Sequence, residues 1–144
     1  MDTERRAFHV DGPAGLALVD SALDALDRLW AAAPEVPAED QVLFTLALSE
    51  VTTNIAQHNE QTDVVLSIDV RASAEELRAY IRDTAPPAPI DWDAVSMPGE
   101  ESESGRGLAL SQAALDEFTH VPSEAGNTWV LVRRIGMDRS EDEA

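Results

Sequence analysis

Cysteine is absent from this sequence, which excludes disulfides and thiolate metal sites and fits a reducing compartment. Long apolar runs are missing too. None approaches the roughly 18 residues of a membrane span. The opening stretch "MDTERRAFHV" lacks the apolar core of a signal peptide. The expectation is a soluble cytoplasmic protein. Basic residues are scarce: 10 against 28 acidic ones, for a formal net charge of -18. Such a field repels phosphate backbones, so direct nucleic-acid binding is not expected, and a basic protein surface is the favoured kind of partner. The same acidity also serves solubility alone.

What is present is enough for one core in one domain. The chain has 144 residues with a hydrophobic fraction of 44%, ordinary for a globular protein. "RRAFHV" reads as a first strand ended by Asp11-Gly12-Pro13. "AGLALVDSALDALDRLWAAA" follows, with Leu16, Val19, Leu23, Leu26 and Trp30 at helical spacing. Pro37 suits the first turn of a second helix, where Glu39 and Asp40 suit the dipole. In that helix Phe44, Ala47, Leu48, Val51 and Ile55 form an apolar stripe. Glu50, Asn54 and His58 recur at four-residue steps along one flank of it, drifting toward it, so that His58 is expected nearly on the stripe.

"TDVVLSIDVRA" and "EELRAYIRDT" alternate apolar and polar residues around a short break and predict an antiparallel hairpin. Val64, Leu66, Ile68 and Val70 share one face. Leu77, Ala79, Ile81 and then Asp83 share one face of the second strand, which places a carboxylate on the core side at a strand end. It needs a partner or an open cavity there. "APPAPIDWDAVSMPGEESES" is a proline-rich loop, "GRGLALSQAALDE" restarts helical spacing, and "FTHV" and "TWVLVRRI" predict two final strands around the turn "PSEAGN". The tail 136–144 is acidic and expected to be disordered; residues 1–135 form the domain. Strand pairs and grouped helices predict an α+β two-layer sandwich with helices on one face of a mainly antiparallel sheet.

Gly105 and Gly107 flank Arg106 just before a helix. Free backbone N–H groups, close approach at glycine and a permanent cation together suit an anion, although a Gly-x-Gly pair before a helix often serves only as a turn. Asn54 supplies an oxygen suited to Mg²⁺, and Glu50 one turn earlier suits a general base. Taken singly, each has a plainer reading. Glu50 reads as a solvated helix edge, His58 as a packed helix histidine, Asp83 as a turn residue and Thr128 as a strand former.

The order and spacing of the set give it a more specific meaning. "SEVTTNIAQH", "IRDTAPP", "ESGRGLALSQAALDEF" and "NTWVLVRRI" resemble, in order, the boxes of the GHKL, or Bergerat-fold, ATP-binding superfamily. Within it they most resemble the anti-sigma-factor serine/threonine-protein kinases of the RsbW type. The resemblance runs from the first strand to Arg134. It implies a mainly antiparallel mixed sheet with helices on one face, ATP and Mg²⁺ as ligands, and a site residue by residue. Asn54 would coordinate Mg²⁺ and Glu50 would be the catalytic base, with His58 on the same flank. Asp83 would accept from the adenine amino group, with Ala85 after it and Thr128 supporting the adenine end. Gly105, Arg106 and Gly107, with Leu108 following, would hold phosphates, and 84–104 would be the ATP lid. The implied partners are a STAS-type antagonist protein, a sigma factor and a second copy of the chain, without direct nucleic acid or membrane. Two features depart from the pattern. Ala85 stands where the family's Asp-x-Gly box has glycine, and Glu100, Glu101 and Glu103 adjoin the phosphate segment. These favour an alternative: a regulatory interaction module of the same fold, non-catalytic or weakly nucleotide-binding. A nucleotide sensor without phosphotransfer is a third reading.

Overall fold

The computed structural model describes residues 6–59, 62–86 and 110–135. The expected tail, most of the expected lid, and Gly105, Arg106, Gly107 and Leu108 lie outside the described residues. The element order is β1 (Arg6–Pro13), α1 (Leu16–Ala32), α2 (Ala38–His58), β2 (Val65–Ala72), β3 (Glu76–Asp83), β4 (Glu117–Ser123) and β5 (Gly126–Arg134). Residues 110–114 are helical as well. The strands form one sheet in the order β1-β2-β3-β5-β4, and every pairing among the described residues is antiparallel. This is the expected α+β architecture.

Alternation decides which face of the sheet is covered. Leu66, Ile68 and Val70 of β2, Leu77, Ala79 and Ile81 of β3, and Trp129 and Leu131 of β5 are buried. Register aligns them in rows, such as Ile68–Ile81–Trp129 and Val70–Ala79–Leu131. The helices cover this inner face. The stripe expected on α2 is the buried one: Phe44, Ala47, Leu48, Val51 and Ile55 are all in the core. On α1 the buried face is Val19, Ala22, Ala25, Leu26 and Leu29. Leu16, expected on it, is exposed, and Leu23 and Trp30 are only partly buried. Trp30 packs edge-on against Phe44 and donates its indole N–H to Thr45 Oγ1 at 3.1 Å, joining the two helices.

Two strand boundaries differ from expectation. β1 does not stop at Asp11-Gly12-Pro13; it pairs through Pro13, opposite Val65. β1 is an edge strand, where a missing N–H is tolerated. The segment "PSEAGN" is mostly strand: Ser123 pairs with Gly126, leaving Glu124 and Ala125 as the turn.

The direction of α2 follows from its two ends. Asp40, in its first turn, accepts from Arg133 Nε at 2.6 Å, and Arg133 Nη1 donates to Ala114 O at 2.7 Å. Both side chains are buried. At the other end, α2 finishes at His58 and the chain soon enters β2, whose Leu66 pairs with Asp83. Asp40 to Asn54 is about 21 Å of helix, and Arg133 to Asn127 is about 20 Å of strand. The helix thus crosses the inner face from the Arg133 end to the Asp83 end. Among the described residues no helix is long and apolar enough to cross a membrane.

Candidate functional site

By helix length, the flank of α2 that carries Asn54, with Glu50 one turn before it, runs toward the sheet end where Asp83 sits. Glu50 and Asn54 are partly buried, beside the fully covered Val51 and Ile55. His58 is not on the buried stripe as expected. It is exposed, and its ring Nδ1 donates to the Asn54 backbone carbonyl at 2.9 Å. A histidine in the last turn of a helix commonly bonds a carbonyl of that turn. His58 therefore finishes the helix, and Glu50 and Asn54 form the polar flank.

Asp83 lies on the inner face, as the alternation of β3 requires, and is 5% exposed. Its carboxylate is held from three sides. Asn127 Nδ2 donates to Oδ1 at 2.9 Å and the Ala85 backbone N–H donates to the same oxygen at 3.0 Å. Trp129 Nε1 donates to Oδ2 at 3.4 Å. Ala85 enters the site through this backbone N–H, which closes a tight turn over the carboxylate; a glycine is not needed for that bond. Gly126 lets β5 approach: its φ is +139°, and a Cβ there would lie 1.9 Å from the Asp83 carbonyl oxygen.

Thr128 is on the other face. Asp83 pairs with Asn127, whereas Thr128 pairs with Arg82, and neighbouring residues on a strand point to opposite sides. The residue beside Asp83 is thus Asn127, one position earlier than expected. Behind it stands His120 of β4, which stacks on Trp129 at 4.1 Å between ring centroids and bonds to Asn127 Oδ1 through Nε2 at 2.9 Å. Neither Asn127, Trp129 nor His120 was singled out from the sequence. Trp129 and Leu131 were recognisable as apolar residues of one face, and that alternation puts Asn127 on it. His120 carried no such signal.

Two clefts open on or beside the outer face. One, of about 360 Å³, is lined by Ser67, Arg82, Thr84 and Thr128 together with the Asp83–Asn127 strand end. The larger, about 790 Å³, is lined by His9, Asp69, Arg71, Tyr80, Arg82 and Thr128. It lies away from Glu50 and Asn54, so size does not mark the chemically equipped region. On this face Asp11, and then Asp69, raise His9 above the usual imidazole value by hydrogen bonding to its ring. Among the described residues no group of three or more His, Asp or Glu side chains could hold a metal alone. An ion near Asn54 would take its other oxygens from a phosphate ligand and water, as Mg²⁺ commonly does.

Comparison with known proteins agrees with this fold. Residues 12–134 match the family described as the histidine kinase-like ATPase domain. No curated protein matches the chain. Among solved structures, it is similar to the RsbU and RsbW domains of Rv1364c from Mycobacterium tuberculosis, at 20% identity and a TM-score of 0.62 over 90% of this chain and 32% of that one. It is also similar to the histidine kinase domain of the Erythrobacter litoralis EL346 blue-light activated histidine kinase, at 22% identity and a TM-score of 0.56 over 82% of this chain and 63% of that one. A further structure of that kinase gives 21% identity and a TM-score of 0.58, covering 89% and 43% respectively. The chain spans from about a third to just under two thirds of the length of these proteins. At such identities the likeness is one of fold.

Proposed function

The chain belongs to the histidine kinase-like ATPase domain family, and from that premise we propose that it is an anti-sigma-factor serine kinase. In this reading it binds ATP with Mg²⁺, phosphorylates a small STAS-type antagonist protein and sequesters a sigma factor. The observation that carries the nucleotide part is the buried Asp83 carboxylate, held in place at the sheet end reached by Glu50 and Asn54. The fold neighbours include both an RsbW domain and a histidine kinase, so the fold does not choose the branch. The choice rests on "SEVTTNIAQH" and on the compact form of the remaining boxes.

The residues divide the work. Asp83 accepts from the base. Asn54 offers its side-chain oxygen to Mg²⁺, which supplies charge neutralisation at the phosphates when bound. Glu50 takes the proton of the attacking serine hydroxyl as its oxygen bonds to the γ-phosphorus and ADP departs. Gly105, Arg106 and Gly107 would hold the phosphates. Positioning provides most of the acceleration, because the transferred group is loosely bonded in the transition state. A second reading, an interaction module with weak nucleotide binding, draws on the Asp83 carboxylate, which already accepts three hydrogen bonds from the protein itself.

Calorimetry separates the two. Wild type should bind ATP more tightly with Mg²⁺ than without it, and Asn54→Ala should lose that difference while keeping its fold. Equal affinities for Asn54→Ala and wild type in both conditions would remove Asn54 from the metal role. Absence of any ATP binding by wild type would leave the interaction module.

A further inference from the structure

The hydrogen bonds around Asp83 do more than anchor it; they ration its acceptor capacity. An ionised carboxylate has roughly four lone-pair sites, two on each oxygen. Oδ1 receives both the Asn127 amide and the Ala85 backbone N–H. Among the described residues Oδ2 receives the Trp129 indole alone, at 3.4 Å. Capacity for a ligand therefore remains on one oxygen. Asp83 as a whole is 5% exposed.

The Asn127 orientation that fills Oδ1 is itself enforced. Asn127 Nδ2 faces the Asp83 carboxylate and, at 3.5 and 3.3 Å, the backbone carbonyls of Ala85 and Pro86. All three are acceptors. The amide oxygen faces His120 Nε2 at 2.9 Å, so the imidazole carries its proton on Nε2 and donates it. Rotating the amide by half a turn would set its oxygen against the Asp83 carboxylate and its NH₂ against an N–H. His120 is in turn clamped by its stack on Trp129. The chain is His120 to Asn127 to Asp83, with each donor direction determined.

The geometry points to Asn127, oriented by His120, as the residue that sets base selectivity by making Asp83 a one-oxygen acceptor. This rests on the nucleotide-binding reading above. A guanine edge carries two adjacent donors, N1–H and the 2-amino group, and its best grip on a carboxylate uses both oxygens side by side. With Oδ1 occupied, that grip is denied. A 6-aminopurine needs one acceptor for its amino group, and its N1, itself an acceptor, gains from the absence of a second bare oxygen beside it. The site thus takes adenine nucleotides and discriminates against guanine nucleotides.

The test is a set of ATP and GTP affinities, each with Mg²⁺, for wild type, Asn127→Leu, His120→Phe and His120→Gln. Side-chain amide resonances of Asn127 are followed in the nucleotide-free proteins that retain it. Wild type should prefer ATP. Asn127→Leu vacates one of the two filled lone-pair sites on Oδ1, leaving the Ala85 N–H on the other, and the ATP:GTP preference should fall by roughly tenfold or more, the worth of one charge-assisted hydrogen bond. His120→Phe keeps a ring on Trp129 but has no donor; its preference should fall as well, and its Asn127 amide resonances should shift and broaden. His120→Gln restores a donor and should recover part of both. A lowered affinity for both nucleotides in constant ratio would mark these residues as structural and overturn the proposal, leaving nucleotide binding in place. Asn127 resonances unmoved in His120→Phe would overturn the role of His120. Failure of wild type to bind either nucleotide would overturn this inference and the nucleotide reading together.

Discussion

Replacing Glu50 with glutamine is expected to leave ATP affinity unchanged and to slow phosphotransfer by roughly 10²–10⁴-fold, the usual contribution of a positioned base. Glutamine keeps the shape and most of the packing on the α2 flank. It cannot take the serine proton. Glu50 is partly buried one turn before Asn54, so it shares the helix face that reaches the Asp83 end. Asp83 also lies in the region, but its carboxylate is engaged by Asn127, Ala85 and Trp129 and is committed to holding. Single-turnover transfer to an antagonist protein, with nucleotide binding measured separately, reads the effect. Transfer at the wild-type rate would show that another group takes the proton.

A comparably large effect is expected far from the chemistry. Asp40→Ala should cost about 3–5 kcal/mol of folding stability, because it leaves a buried guanidinium without its counter-charge. Arg133 is 2% exposed and keeps the Ala114 carbonyl as an acceptor, which does not neutralise it. The pair fixes where the first turn of α2 rests on β5, and through the rigid helix it fixes where Glu50 and Asn54 arrive. Replacing both members with apolar side chains of similar volume, Asp40→Leu with Arg133→Met, should recover most of the loss. Urea titration of the single and double variants checks this. A loss under about 1 kcal/mol for Asp40→Ala would mean that the pair behaves like an exposed one.

The parts of the fold with a period were legible from the residues. Alternation along "ELRAYIRD" put Asp83 on the core side, and helical spacing gave the buried stripe of α2; the structure has both. Register was not legible, and the start of the last strand differs from expectation for that reason. Reading "PSEAGN" as one long turn started the last strand at Thr128, although Gly126 and Asn127 already pair with Ser123 and Pro122. The inward series Asn127, Trp129, Leu131 and Arg133 then begins one residue earlier. His120 beside Asn127, and Arg133 on Asp40, join residues brought together by tertiary packing alone. No local pattern encodes such pairs.

The most direct test of a nucleotide site on this inner face is to follow the indole N–H resonances while ATP with Mg²⁺ is titrated in. The Trp129 indole donates to Asp83 Oδ2, the oxygen left for the base, whereas the Trp30 indole donates to Thr45 between the two helices and serves as an internal control. Saturable movement of the Trp129 indole and the Asn54 side-chain amide, with Trp30 and the outer-face Thr128 unmoved, is the predicted result. Perturbation confined to Thr128 and its neighbours on the outer face, with Trp129 stationary at saturating ATP, would contradict it.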